Sequence, residues 1–77
     1  MFRVLVKTEQ VAVDDQIYPV RYFEQRTGRG LRRYSAEILL APHDRIILDD
    51  DSVPNLEARA QRLVPATIYS RALARTA

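Results

Sequence analysis

Apolar and polar residues alternate at short range through the first two thirds of the chain, and then the spacing changes. From Phe2 to Leu48, β-branched and aromatic residues recur between polar ones, interrupted at Asp14-Asp15, Gly28-Arg29-Gly30 and Pro42-His43-Asp44. That pattern predicts four extended segments within residues 2–49. After Ser52 the apolar residues Leu56, Ala60, Leu63 and Val64 recur at helical spacing and predict a helical region over 52–75. The expected fold is α+β, one domain over residues 1–77. It is a four-stranded, mostly antiparallel sheet with a C-terminal helix, kinked or split at Pro65, packed on one face.

Register sharpens this expectation, because a slip of one residue moves every side chain of a strand to the other face. A type I turn with a G1 bulge at Gly28-Arg29-Gly30 puts Gly30 in the left-handed region and pairs Thr27 with Leu31. Tyr22, Val20 and Tyr18 then fall opposite Ala36, Ile38 and Leu40 on one apolar face, and Arg21 opposes Glu37 on the other. A two-residue loop would instead set Arg21 among apolar neighbours. A Pro42-His43-Asp44 turn pairs Ala41 with Arg45, Leu40 with Ile46 and Ile38 with Leu48, on the same apolar face. The first strand is less decided. Val4, Val6 and Thr8 lie on one side and Arg3, Leu5, Lys7 and Glu9 on the other, with a bulge conceivable in Val11-Ala12-Val13.

The helix start is marked by Ser52, a good N-cap, by Pro54 in the first turn, and by Asp49, Asp50 and Asp51 just before the positive helix end. Pro65 lacks an amide hydrogen and crowds the carbonyl four residues back. It therefore either kinks this helix or opens a second one carrying Ile68, Ala72 and Leu73.

Length then limits what can hold the fold together. A chain of 77 residues buries only about 60% of its unfolded surface, and domains this small commonly add disulfides, a metal or a partner subunit. The chain has no cysteine, and one histidine, His43, does not make a zinc site. No metal or cofactor is expected, and self-association is the remaining staple. Arg3 and Lys7 break the apolar run that a signal peptide needs, and no stretch approaches a membrane span. The expected location is cytoplasmic, without membrane contact.

The formal charge is only +2, but it is segregated. Residues 21–33 carry five arginines against Glu24, residues 44–51 carry four aspartates against Arg45, and the tail from Glu57 is basic again. Arg26, Arg29, Arg32 and Arg33 surround the glycine turn and suit phosphate contact, with Tyr22, Phe23 and Tyr34 near enough to stack on bases. The plainer account is that exposed arginines keep a hairpin soluble. Asp49-Asp50-Asp51 offers hard oxygen ligands but lacks the spacing of a calcium loop, so helix capping explains it better. His43 and Asp44 form a conceivable acid–base pair, but no nucleophile motif or phosphate loop accompanies them. The sequence predicts no enzyme.

One surface feature is left over. With the apolar set assigned beneath the helix, the other sheet face still carries Phe23, Leu39 and Ile47, the last two expected directly opposite one another. Such a patch marks an interface, unless the segment after Pro65 folds over it. The expected function is a small non-catalytic binding module that engages protein, itself first, through Phe23, Leu39 and Ile47. The alternative is a nucleic-acid-binding accessory or regulatory protein using the arginine hairpin 26–33.

Overall fold

The computed structural model describes residues 3–76, with side chains for 3–75; Phe2, where the first extended segment was expected to begin, lies outside them. Four strands, β1 (Arg3–Val13), β2 (Gln16–Arg26), β3 (Arg32–Ala41) and β4 (Asp44–Asp50), precede one helix, α1 (Val53–Thr76). The strands form an antiparallel meander in the order β1-β2-β3-β4. The helix packs on one face, so the fold is α+β as expected.

The β2–β3 hairpin has the bulged register. Arg21 faces Glu37, Tyr22 faces Ala36 and Val20 faces Ile38. Thr27 N–H donates to the Leu31 carbonyl at 2.8 Å, Gly30 N–H donates to the Thr27 carbonyl at 2.9 Å, and Gly30 has φ 78°. The Thr27 hydroxyl accepts from the Leu31 and Arg29 amides and closes the turn further. The ladder ends at Val20–Ile38, two pairs short of the expected Tyr18–Leu40, next to Pro19, which has no N–H to donate. Tyr18 and Leu40 still line one shallow surface depression together.

The β3–β4 register differs from expectation by two residues. Ala41 pairs with Asp44, Leu39 with Arg45, Ile38 with Ile46, Glu37 with Ile47 and Ala36 with Leu48. The turn holds only Pro42 and His43, and the register shift between Leu39 and Ala41 leaves Leu40 as the extra residue of a bulge. A slip of two conserves the faces, so Ile46 and Leu48 still point to the core, but Leu39 and Ile47 are diagonal rather than opposed.

In β1 the bulge falls at Val6, between Leu5 and Lys7, and not within Val11-Ala12-Val13. Upstream of it Leu5 opposes Phe23, and downstream Lys7 opposes Tyr22. Lys7 and Glu9 thus move to the helix side together with Val11 and Val13, while Thr8 joins Arg3 and Leu5 on the other. Asp14, at φ 54°, closes the β1–β2 turn in the left-handed region that Asp tolerates better than most residues.

The core lies between sheet and helix: Val11, Val13, Val20, Tyr22, Ala36 and Ile38 from the strands, and Leu56, Ala60 and Val64 from α1. Ser52 caps the helix, its hydroxyl accepting from the Asn55 amide at 3.2 Å and its carbonyl from the Leu56 amide at 3.2 Å. The helix runs unbroken through Pro65, so it is not split there, and Ile68 beyond the proline packs on the same core. The C-terminal segment does not fold over the opposite face. Ion pairs tie the helix along its length: Arg59 to Asp50 at 3.2 Å, Glu57 to Lys7 at 3.3 Å, and Arg71 to Asp44. No helix among the described residues is long and apolar enough to cross a membrane.

Candidate functional site

Strand alternation and register place the side chains of the face away from the helix in rows. Leu5, Phe23, Ser35 and Asp49 form one row across the four strands; Thr8, Arg21, Glu37 and Ile47 form the next. Leu39 and Arg45 follow on β3 and β4. This geometry decides which expected interface residues belong together.

Phe23 is only 8% exposed although no helix covers it. The Arg3 guanidinium lies 4.1 Å from its ring centroid and that of Arg21 5.7 Å away, so arginines roof the ring. Beside it Glu37 is 4% exposed, hydrogen-bonded by Arg21 and contacted by Arg45 at 3.3 Å. The bond from Arg21 holds the Glu37 carboxyl below the usual carboxylate range against the opposing effect of burial, and the nearby charges of Arg21, Arg45 and Arg3 add to it. Ser35 is buried next to Phe23, and its hydroxyl has no hydrogen-bond partner among the described residues.

The expected continuous patch of Phe23, Leu39 and Ile47 is therefore divided. The Arg21–Glu37–Arg45 network lies next to a roofed Phe23, with Leu5 at its side, and its Glu37–Arg45 arm crosses diagonally between Leu39 and Ile47, which are 39% and 53% exposed. Sequence pattern alone missed Leu5, because the bulge at Val6 determines which neighbours it joins. It also missed the arginine roof, since Arg3 meets Phe23 only through tertiary pairing.

The basic hairpin does not converge either. Arg26 and Arg32 oppose each other on the helix side, Arg33 points to the other face, and Arg29 sits in the turn. Arg32 pairs with Glu24 at 3.3 Å and Arg33 pairs with Asp51. Arg26 and Arg29 are exposed and make no ion pair among the described residues.

The aspartate run is also engaged. The Asp50 carboxylate accepts from the Asn55 side chain at 3.1 Å and from the Asp51 amide at 2.7 Å, and these bonds hold its carboxyl low. Among the described residues no group of three His, Cys, Asp or Glu side chains stands ready to hold a metal. His43 is exposed in its turn, and the neighbouring Asp44 carboxylate is taken by Arg71. On the core side, burial and then the bond from its hydroxyl to Glu9 push the Tyr22 phenol well above its usual range, which marks a packed, proton-retaining group.

No protein-family model, curated protein or solved structure matches this chain.

Proposed function

We propose that the chain is a non-catalytic protein-binding module whose first partner is a second copy of itself, working from the half of the uncovered sheet face around Leu39 and Ile47. The observation that carries this reading is that the helix lies wholly on the other face while Leu39 and Ile47 remain 39% and 53% exposed, with Arg45 and Asp49 on either side of Ile47 along β4. A small core that leaves such residues in water gains by burying them against another surface.

The alternative, nucleic-acid binding through the hairpin, has support from Arg26 and Arg29, which are exposed and without ion pairs among the described residues. It has less support from Arg32 and Arg33, whose charges are already opposed by Glu24 and Asp51. Protein binding is therefore the better reading.

Light scattering on the purified chain tests it. The expected mass is a multiple of 8.9 kDa, and Ile47→Glu should lower it with the circular dichroism spectrum unchanged, because symmetry repeats the new charge across the contact. A parent protein that stays monomeric at every concentration sinks self-association.

A further inference from the structure

The two edges of the sheet are unlike. β1 carries a bulge at Val6 followed by Lys7, both features that discourage a further strand from pairing. β4 has no bulge of its own: the register shift at that end of the sheet lies on β3, and β4 itself pairs in unbroken sequence from Arg45 to Asp50, with Arg59 donating to the Asp49 backbone carbonyl at 2.7 Å. Its outer backbone edge faces away from β3, as the last strand in the order β1-β2-β3-β4.

The sequence of β4, Asp44-Arg45-Ile46-Ile47-Leu48-Asp49-Asp50, is complementary to its own reverse. Laid antiparallel on a second copy about Ile47, it sets Ile47 against Ile47 and Arg45 against Asp49 twice over, on the uncovered face. On the helix side it sets Ile46 against Leu48 twice. We propose that a second copy of this chain joins at this edge about a twofold axis at Ile47, making one continuous sheet of eight strands with both helices on the same side. This deepens the self-association reading and rests on it.

Three observations select this register. A twofold antiparallel pair can slip only by two residues if facing sides are to match. One such slip sets Arg45 against Ile47; the other sets Ile47 against Asp49 and Ile46 against Asp50. Both put charge against apolar side chains. Second, the like charges that do meet, Asp44 and Asp50 at the ends, are neutralised beforehand, Asp44 by Arg71 and Asp50 by Arg59. Third, Asp49 is exposed and its carboxylate has no ion-pair partner within its own chain among the described residues, so it is free to take Arg45 of the other copy.

The absence of cysteine from the chain makes the register directly readable. Directly opposed antiparallel residues have Cα atoms about 4.5–5.5 Å apart, within disulfide reach. Ile47→Cys should therefore oxidise rapidly to a covalent dimer, while Ala12→Cys, exposed on the far strand, should not. Arg45→Asp and Asp49→Arg should each be monomeric by sedimentation, and an equimolar mixture of the two should form a dimer, since each then presents what the other needs. Asp49→Arg leaves the Glu37 ion pairs untouched, and Ile47→Cys removes no charge, so loss of folding in Arg45→Asp would not decide the outcome. A parent dimer in which Ile47→Cys crosslinks no faster than Ala12→Cys overturns the β4 edge and leaves self-association standing. A parent protein that sediments as a monomer at all concentrations overturns both.

Discussion

Gly30, at φ 78°, holds a turn position where a side chain is strained by backbone rather than by space, since a Cβ there meets nothing within 4 Å. Gly30→Val should lose on the order of 1–2 kcal/mol, which for a domain of this size is a fall in Tm of about 4–8 °C per kcal/mol. Arg29→Ala, at the exposed tip, should leave Tm nearly unchanged, and equal effects in thermal melts would contradict the bulged turn. Glu37 supplies a second test at this scale. Its carboxyl is held below the unfolded value of 4.5 chiefly by the hydrogen bond from Arg21. A depressed carboxyl contributes stability that is present above the unfolded pKa and is lost as pH falls from there through the folded value. Glu37→Gln should therefore flatten the acid limb of stability against pH below about 4.5, as read by denaturant unfolding at stepped pH. The Arg21–Glu37 pair was legible in sequence as two opposed residues on one face. The burial of Glu37 was not, because it depends on Phe23 and Arg45 arriving from the strands on either side.

At the scale of elements, turn chemistry and helix capping carried most of the information. Gly28-Arg29-Gly30 and Ser52 each name a local backbone geometry that only a few residue types satisfy, and both stand where expected. The strands were harder where a bulge intervened. Val6 and Leu40 are ordinary strand residues with nothing in their chemistry to mark an unpaired position, so the faces of β1 and the pairing of β4 had to come from tertiary register. Pro65 shows packing overriding propensity. It sits inside a helix that continues past it, with Val64 buried and Ile68 packed on the core. A helix interior loses about 3 kcal/mol at proline relative to alanine. Pro65→Ala should thus raise Tm, with the amide of residue 65 gaining the Gln61 carbonyl as its acceptor. A fall in Tm would mean that the proline shapes the helix to the sheet.

For the molecule as a whole, charge placement separates the two functional readings. Counterion release lowers the slope of log affinity against log salt by about 0.9 for each phosphate contacted on duplex DNA. With Arg32 and Arg33 paired internally, the hairpin has Arg26 and Arg29 free to contribute. Changing Arg26, Arg29, Arg32 and Arg33 together to Gln should leave the mass in solution unaltered and any nucleic-acid binding shallow in salt dependence from the outset. A steep slope in the parent protein that flattens in the quadruple variant would favour the nucleic-acid reading over the protein-binding one.

The sequence by itself determined the class of the fold, the strand count, the bulged central hairpin, the start of the helix and the apolar set beneath it, because each follows from local spacing or from a residue type that few geometries accept. Tertiary structure alone decided that Phe23 is roofed by Arg3 and Arg21, that Glu37 divides the uncovered face, that two of the four hairpin arginines are already paired, and that β4 is the edge strand without a bulge. Those properties arise between residues brought together by pairing register, and one bulged residue, invisible in composition, is enough to choose the neighbours.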